Sequence, residues 1–251
     1  ILTDIVDVGE ESGCRIRIIQ EKKDVYSRHL DVHQFGPFKV FSVREEPLSQ
    51  TPSKIYKRIF DVVFSMLVLL FIYWWIYAII WLLVKLSSKD SIFFKQKRVG
   101  RGGQEFYCIK FRTMSLNKSG SDGNGEITKL DDNRITRLGA FLRRTNIDEF
   151  PQFLNVLMGD MSVIGPRPHM IEEDHTVAEK LRKYRIRRFI RPGISGWAQV
   201  NGYRGGTEDM ELMQKRVDYD IKYIESWSPW LDIKIIYSTV LQMFTLRTGA
   251  H

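Results

Sequence analysis

The chain has 251 residues, of which 43% are hydrophobic, and its 38 Lys and Arg outnumber 30 Asp and Glu to give a net charge of +8. This length suffices for one sizeable domain with accessory segments, and the charge favours anionic partners such as phosphates, acidic lipid headgroups or nucleic acid; a basic surface that serves only solubility is the alternative. The two cysteines, Cys14 and Cys108, lack metal-type spacing, so the sequence indicates neither a disulfide framework nor a zinc site and fits a reducing cytoplasmic setting.

Two strand candidates stand out in the N-terminal region, residues 1–50. The first is a short alternation of basic and apolar residues at 15–19, and the second is an apolar run at 38–43. Because two strands alone make no stable domain, we expect this region to be the end of a larger upstream α/β domain, followed by a linker at 47–53. The chain begins with Ile1 and has no basic-then-apolar leader, which predicts a piece of a longer protein without a signal peptide.

An uncharged segment at residues 62–84 is long enough to cross a bilayer. As a helix rising about 1.5 Å per residue, it would be roughly 34 Å long. Its aromatic side chains, among them Trp74, Trp75 and Trp81, would lie on every side of the helix, which favours a bilayer over the alternative of a buried core helix. We therefore expect a membrane helix within residues 54–90.

Basic residues flank both ends of this segment. They are Lys54, Lys57 and Arg58 before it, and Lys85, Lys89, Lys95, Lys97 and Arg98 after it. Since Lys and Arg next to a membrane segment usually mark the cytoplasmic side, both ends are expected on the same side, as in a re-entrant helix. No proline lies between Pro52 and Pro151, so the sequence offers no evident kink, and a straight crossing is the alternative.

Residues 91–251 should form the main domain. An extended run at 92–98, a glycine-rich turn at 100–103 and a second strand candidate at 105–114 predict a β-hairpin. The segment at 119–125 is rich in Gly, Ser, Asn and Asp and predicts a mobile loop.

Two adjacent carboxylates, Asp148 and Glu149, are the main candidates for catalysis, and we call them the acid pair. Thr145 or Asn146 is expected to cap a helix that continues through the apolar run at 150–158, which places the acid pair in the first turn of that helix. There the helix dipole would keep a carboxylate ionised and attract a phosphate, so that Asp148 could act as a nucleophile. An ordinary capping box is the alternative.

Arginines surround the acid pair in the sequence. Arg143 and Arg144 lie directly upstream and can hold phosphate oxygens with guanidinium forks. Arg167 stands between Pro166 and Pro168, which stiffen the loop that presents it. Mg²⁺ is the expected cofactor, held by the acid pair, because it would offset the repulsion between a carboxylate and an anionic pyrophosphate.

Two C-terminal segments also have helical spacing. A basic stretch at 182–191 is interleaved with apolar residues, and either a solvated helix face or an interfacial helix on acidic headgroups would explain it. Aromatic and aliphatic residues recur at helical spacing over 227–244, which suits packing against the core or against a bilayer surface.

Several motifs together resemble those of the bacterial sugar transferases, the monotopic polyprenyl-phosphate phosphoglycosyltransferases. The motifs lie at residues 57–61, 110–114, 148–149, 159–162, 165–168 and 191–202. They occur in the same order as in that family, from about residue 54 to residue 244, and several are long enough to make chance a poor explanation.

The resemblance implies an α+β fold with a mostly helical catalytic domain and a small β element. One hydrophobic re-entrant membrane helix would anchor it, and residues 1–50 would be the C-terminal remnant of an upstream Rossmann-like domain. In one respect the chain departs from the family: a Ser-Pro pair commonly breaks the membrane helix there, and none occurs near Tyr73 and Trp74. The basic flanks still favour re-entry.

The activity that the resemblance implies is transfer of a hexose-1-phosphate from a UDP-sugar to undecaprenyl phosphate. Asp148 would attack the β-phosphorus and release UMP, and the lipid phosphate would then displace the aspartyl-phosphosugar. Glu149 would support Mg²⁺ or a proton transfer, and Arg167 would face the nucleotide. Three basic residues would neutralise the phosphates: Lys110, Arg112 and Arg143.

The implied setting is the cytoplasmic face of the bacterial inner membrane, in contact with membrane lipids, as the first membrane step of exopolysaccharide, capsule or O-antigen biosynthesis. A non-catalytic membrane scaffold for envelope polysaccharide assembly is the alternative. Nucleic acid is not an expected partner, because two-metal nucleases need more carboxylates than one adjacent pair and no nucleic-acid motif is present. The sequence leaves open which sugar is transferred and whether the chain forms a homodimer.

Overall fold

The structure is a computed structural model that describes most of the chain. The described residues are 2–20, 31–35, 38–42, 44, 46–87, 91–114, 134–204 and 209–245. The predicted loop at 119–125 lies outside them. Within the described residues helices predominate and the strands form small sheets, which confirms a mostly helical fold with a small β element.

The N-terminal region combines one helix with a three-stranded sheet. Helix α1 spans Leu2–Ser12, and strands β1, β2 and β3 span Arg17–Gln20, Asp31–Phe35 and Phe38–Ser42. Strand β3 is central and pairs antiparallel with both neighbours. Strands β1 and β3 match the two predicted strands, whereas β2 and α1 were not predicted. Because Rossmann-like sheets are mostly parallel, the predicted Rossmann-like remnant is not confirmed.

One long apolar helix begins after a 3₁₀ turn at Pro47–Ser49. It consists of α2 at Thr51–Val68, a π-helical turn at Leu69–Tyr73 and α3 at Trp74–Ser87. In the part of the chain that the structure describes, Thr51–Leu83 is the one helix long and apolar enough to cross a membrane. Leu70 and Trp74 are each 65% exposed, which does not fit the alternative of a buried core helix.

Both halves of the long helix lie against the same domain. In α2, the Asp61 carboxylate accepts hydrogen bonds of 3.0 Å from the Ser162 hydroxyl and from the Val163 amide. In α3, the ring of Tyr77 stacks on Phe93 with 5.8 Å between centroids. The helix changes type at the π-helical turn without a proline. Such turns, like prolines, are a common cause of helix bending.

A buried ionic cluster joins α2 to the C-terminal helix α9, Pro229–Phe244. Lys57 Nζ donates to the Asp232 carboxylate at 2.8 Å. The same carboxylate accepts hydrogen bonds from the Tyr223 hydroxyl at 2.6 Å and from the Trp227 indole N–H at 3.2 Å. The Lys57 ammonium therefore offsets the buried Asp232 charge, and it also lies 3.3 Å from the Asp61 carboxylate.

The main domain begins with the predicted β-hairpin. Strands β4, Phe93–Val99, and β5, Glu105–Phe111, pair antiparallel along their whole length. The turn between them contains a 3₁₀ segment at Arg101–Gly103, whose glycines adopt the positive φ that favours this residue. Strand β5 is shorter than predicted, because Met114 forms an isolated bridge with Ile135.

Helices surround a two-stranded parallel pair, β6 at Ser162–Ile164 and β7 at Gly193–Ser195. Helices α4 to α8 span Arg137–Arg144, Gln152–Met158, Ile171–Lys180, Trp197–Val200 and Met210–Ser226. Large side chains without solvent exposure fill the core between them, among them Val156, Met161, Tyr184, Val217, Ile224 and Ile235.

Helix α9 has one buried and one exposed apolar face. Ile235 is buried in the core, whereas Trp230 is 77% and Phe244 84% exposed, with Tyr237 exposed between them. These three exposed positions are seven residues apart, so they lie along one side of the helix. The segment thus packs against the core and also presents a free apolar stripe; contact of that stripe with a bilayer stays a prediction.

Candidate active site

The acid pair lies in a 3₁₀ turn, Ile147–Glu149, between α4 and α5. The predicted cap is found only in part: Asn146 stands at the N-cap position of this 3₁₀ turn, but its side chain makes no capping hydrogen bond, and Pro151 precedes α5. The Thr145 hydroxyl donates back to the Phe141 carbonyl at 2.9 Å at the end of α4, and Asn146 adopts a left-handed φ of 56° that turns the chain. Helix α5 begins only at Gln152, so its dipole does not act directly on the acid pair.

Glu149 is buried between two cations. Its carboxylate accepts a hydrogen bond of 2.7 Å from Lys110 Nζ and two from the Arg167 guanidinium, at 2.7 and 3.2 Å. Burial alone would raise the pKa of Glu149, but Arg167 and Lys110 outweigh burial and hold the pKa well below its usual value. Glu149 is therefore an ionised acceptor whose two oxygens are both engaged.

Asp148 is also buried, but its carboxylate is not hydrogen-bonded in the same way. Among the described residues, no side chain or amide donates a hydrogen bond to it. Burial raises the pKa of Asp148 to about 6; the charge of Glu149 adds to this rise, while Lys110, Arg167 and Arg143 oppose it. The predicted ionisation by a helix N-terminus is therefore replaced by a balance between burial and nearby cations, which leaves Asp148 mainly ionised at neutral pH.

The structure brings only part of the predicted basic set to the acid pair. Lys110 and Arg167 bind Glu149 directly, and Arg143 lies close enough to lower the pKa of Asp148 while its Nε donates to the Thr113 hydroxyl at 2.8 Å. Arg112 and Arg144 make no hydrogen bond to the acid pair within the described residues. Arg112 donates to the Ser91 carbonyl, and Arg144 is exposed.

Pro166, Arg167 and Pro168 form a loop, the Pro-Arg-Pro loop, whose main chain is held at every carbonyl. The three carbonyls accept hydrogen bonds from the Gly193 amide at 2.9 Å, from Arg187 at 2.8 Å and from Arg98 at 3.2 Å, respectively. Sequence reasoning did not identify these donors as part of the site, because they lie far from the loop along the chain and no local pattern links them to it.

The basic stretch at 182–191 is neither a uniformly solvated face nor an interfacial helix over its whole length. Its 3₁₀ helix, Tyr184–Phe189, turns Arg187 into the interior, where Arg187 pairs with Asp220 at 2.7 Å. Arg188 pairs with Asp174, and Arg191 donates to the Gly159 carbonyl at 2.7 Å. These arginines connect elements of the main domain.

The acid pair lies next to the long apolar helix. Lys110, which binds Glu149, is followed in β5 by Phe111, whose ring packs on Tyr73 of the helix. Ile147 and Phe150, on either side of the acid pair, pack against the buried apolar cluster that contains Phe111 and that Tyr73 also contacts. The acid pair is therefore joined to the long helix through apolar side chains on both sides of it.

In the described part of the site, the acid pair supplies the candidate metal ligands. Within the described residues, no group of three or more His, Cys, Asp and Glu side chains converges in a way that could hold an ion. Asp148 has unengaged carboxylate oxygens, whereas those of Glu149 are bound by Lys110 and Arg167. Asp148 is therefore the better metal ligand of the two.

Comparison with known proteins finds relatives of this chain. A UDP-glucose:undecaprenyl-phosphate glucose-1-phosphate transferase of Xanthomonas campestris pv. campestris is 46% identical over 166 residues, which cover 66% of this chain and 34% of that protein. Proteins of the same name from Escherichia coli (strain K12) and Caulobacter vibrioides are 38% and 42% identical, over 95% and 79% of this chain and 51% and 73% of their own lengths.

The chain thus spans about a third of the Xanthomonas relative and about half of the Escherichia relative. A sequence profile of bacterial sugar transferases matches residues 52–246, a range that includes the long apolar helix, the hairpin, the acid pair and the Pro-Arg-Pro loop. The match covers most of the chain and every element of the candidate site. The chain therefore belongs to the bacterial sugar transferase family.

Proposed function

We propose that the chain transfers a hexose 1-phosphate from a UDP-sugar to undecaprenyl phosphate and releases UMP. The observation that carries this proposal is the buried Asp148 carboxylate, which keeps its oxygens free while Lys110, Arg143 and Arg167 surround it with positive charge. Such a site can bring an anionic nucleophile and an anionic diphosphate together. Since the three relatives above are named for UDP-glucose, UDP-glucose is the first donor to test.

Asp148 is the proposed nucleophile in two successive displacements. One of its carboxylate oxygens attacks the β-phosphorus, the bond from that phosphorus to the bridging oxygen breaks, and UMP leaves with the electron pair. An oxygen of undecaprenyl phosphate then attacks the same phosphorus, which breaks the bond to Asp148 and restores the carboxylate. Lys110 and Arg167 stabilise the phosphate charge in both displacements.

Glu149 is proposed to hold cations in place and not to transfer a proton. Its pKa lies well below the usual value, so at neutral pH Glu149 carries no proton to donate and is only a weak base. Its two oxygens fix the positions of Lys110 and Arg167. Glu149 thereby keeps two cations aimed at the phosphate-binding region beside Asp148.

Mg²⁺ is proposed as the cofactor, with Asp148 as the protein ligand. Mg²⁺ commonly binds one or two carboxylates and completes its octahedral shell with water and substrate phosphates, so a single free carboxylate fits this ion. When bound, Mg²⁺ would reduce the repulsion between the Asp148 carboxylate and the diphosphate. The Glu149 oxygens could join the ion only after release from Lys110 or Arg167.

The proposed location is the cytoplasmic face of the bacterial inner membrane, with the long helix re-entrant. Support comes from the exposed apolar surface of α2 and α3 and from the contacts of both halves of the helix with one domain. The product would enter exopolysaccharide, capsule or O-antigen synthesis. Residues 1–50 are proposed to be the end of a larger α/β domain.

A non-catalytic scaffold is the rival proposal, and Asp148→Asn separates the two. The amide of asparagine cannot form the acyl phosphate, so the variant should lose UMP release from UDP-glucose and undecaprenyl phosphate by about 10³-fold or more. Asp218→Asn is the matched control, because Asp218 is an exposed residue of α8 and should turn over normally. Unchanged turnover in a folded Asp148→Asn variant would rule out the proposed nucleophile, and no UMP release by the unmodified protein would favour the scaffold.

A further inference from the structure

The Pro-Arg-Pro loop presents Arg167 to Glu149, yet two of its three residues lack a backbone N–H because they are prolines. The loop must therefore be fastened mainly through its carbonyls, which need donors from elsewhere in the fold. At Arg167 itself, that donor is the Arg187 guanidinium, 2.8 Å from the carbonyl oxygen. The buried Arg187 guanidinium thus holds the main chain of Arg167, and the Arg167 guanidinium in turn binds Glu149.

We propose that Arg187, oriented by Asp220, is a positioning residue that fixes Arg167 against Glu149. The catalytic consequence of this proposal depends on the proposed transferase function; the structural part depends only on the contacts. Arg187 would touch no substrate. It would act through the main chain of Arg167, and so through the two hydrogen bonds that Arg167 donates to Glu149.

The contacts of Arg187 leave it little freedom. Arg187 is 6% and Asp220 2% exposed. Arg187 Nε donates to the Asp220 carboxylate at 2.7 Å while its Nη2 donates to the Arg167 carbonyl, and the guanidinium lies 5.0 Å from the centre of the Tyr184 ring. One planar group thus bridges helix α8 and the Pro-Arg-Pro loop, with its face against an aromatic ring.

A guanidinium suits this place for a geometric reason. It presents separate N–H donors in fixed directions, so it can bind a carboxylate and a carbonyl on different elements at the same time. A lysine at this position would keep the charge, but its single ammonium could not reproduce both directions. The Asp220 carboxylate also offsets the positive charge that Arg187 brings close to Arg167. Replacement by lysine therefore removes the bridge with little change in net charge.

The first test measures the loop directly and does not depend on activity. In Arg187→Lys, amide hydrogen exchange in the peptide that covers residues 163–172 should become about tenfold faster or more, because the loop opens locally. Arg185→Lys is the matched control. Arg185 lies on the same 3₁₀ helix and donates to the Glu11 carbonyl, outside the loop, so exchange in this peptide should stay unchanged.

The second test is a double-mutant cycle on kcat/KM for UMP release. Arg187→Lys should lower kcat/KM by about 10- to 100-fold in the otherwise unchanged protein, the scale expected for a misplaced catalytic group. In an Arg167→Lys background, Arg187→Lys should lower kcat/KM by less than about threefold, because the Arg167 guanidinium that Arg187 positions is already gone. A merely structural role predicts the same factor in both backgrounds.

Exchange that is equal in Arg187→Lys and Arg185→Lys would overturn the proposal, as would equal factors in the two backgrounds. If Arg187→Lys fails to fold, Asp220→Asn enters both measurements, because it leaves Arg187 in place but removes the carboxylate that orients the guanidinium. Absence of UMP release by the unmodified protein would refute the transferase function and not the positioning role, which the exchange measurement then decides alone.

Discussion

Arg167 donates two hydrogen bonds to the Glu149 carboxylate, at 2.7 and 3.2 Å, and so forms a bidentate ion pair with the residue that follows the proposed nucleophile. Lys110 binds the same carboxylate at 2.7 Å. Glu149 therefore has more partners in the structure than Asp148, although the sequence presents the two acids as equals. Because their surroundings differ, we expect substitutions of the two acids to have different effects.

Replacement of Glu149 by glutamine should weaken both catalysis and stability. The amide keeps the shape but loses the charge that compensates Lys110 and Arg167, which should lower the free energy of unfolding by about 1–3 kcal/mol. UMP release should fall by about 10²-fold or more as the two cations lose their positions. Thermal unfolding and turnover measure the two effects.

The control for this change is Glu211→Gln. Glu211 also pairs with a lysine, Lys215, at 2.7 Å, but this pair is exposed on the surface of α8. Its loss should change stability by no more than about 0.5 kcal/mol and leave turnover intact. Equal losses in the two variants would show that the buried ion pair at Glu149 has no special role.

The pH dependence of turnover should report on Asp148. Because burial raises its pKa to about 6, protonation should remove the nucleophile below that pH, and kcat/KM should fall by about tenfold per pH unit. Measurement of UMP release between about pH 5 and pH 8 tests this, provided that the protein stays folded. An acid limb near pH 4, the range of an ordinary aspartate, would contradict the effect of burial on this carboxyl group.

The raised pKa of Asp148 predicts that folding stability falls as the pH rises. A carboxylate in an ion pair, whose pKa is lowered, has the opposite effect. The pKa of Asp148 is higher in the folded state than its ordinary value of 3.8, so folding disfavours the ionised form, and stability should fall as the pH rises from about 4 to about 6. Asp148→Asn removes this cost. The variant should be more stable than the unmodified protein at pH 7, on the order of 1 kcal/mol, and the gain should disappear near pH 4.

An intermediate on Asp148 should be detectable when the lipid acceptor is withheld. Incubation with the UDP-sugar alone should release about one equivalent of UMP and add the mass of a hexose phosphate to the peptide that contains Asp148. Rapid acid quenching and mass spectrometry measure both, with Asp148→Asn as the control. Normal turnover without an adduct under any quench would favour direct transfer from the UDP-sugar to the lipid.

The membrane topology can be tested with cysteine labelling at the two ends of the long helix. Cys14 is exposed and should first be replaced by serine, whereas Cys108 is buried. In that background, Lys54→Cys and Lys89→Cys should react with a membrane-impermeant reagent from the same side, because both halves of the helix contact one domain. Labelling from opposite sides would mean a straight crossing.

Local patterns allowed much of this fold to be predicted. The hairpin of β4 and β5 follows from alternation around a glycine turn, and the long helix follows from an uncharged run of sufficient length. Asp148 and Glu149 were found because two adjacent acids near arginines are unusual. All of these features are contained in short windows of sequence.

Features that depend on contacts distant in sequence were either not predicted or predicted wrongly. Arg187 and Asp220 are 33 residues apart, and the alternation of basic and apolar residues around Arg187 resembles a surface helix until the fold buries it. Thr145 matched a capping pattern, but its hydroxyl had a competing carbonyl one turn earlier, at Phe141. Neither outcome can be read from neighbours in the sequence, because tertiary packing decides both.

The buried ion pair between Lys57 and Asp232 has a mechanical consequence. Because removing either charge from its partner inside the protein is costly, helices α2 and α9 cannot rotate past each other independently. The exposed apolar surfaces of α2 and α9 therefore keep a fixed position relative to each other. In the proposed membrane setting, the depth at which the Asp148 carboxylate meets the lipid phosphates would be fixed by the protein itself and would be insensitive to bilayer thickness.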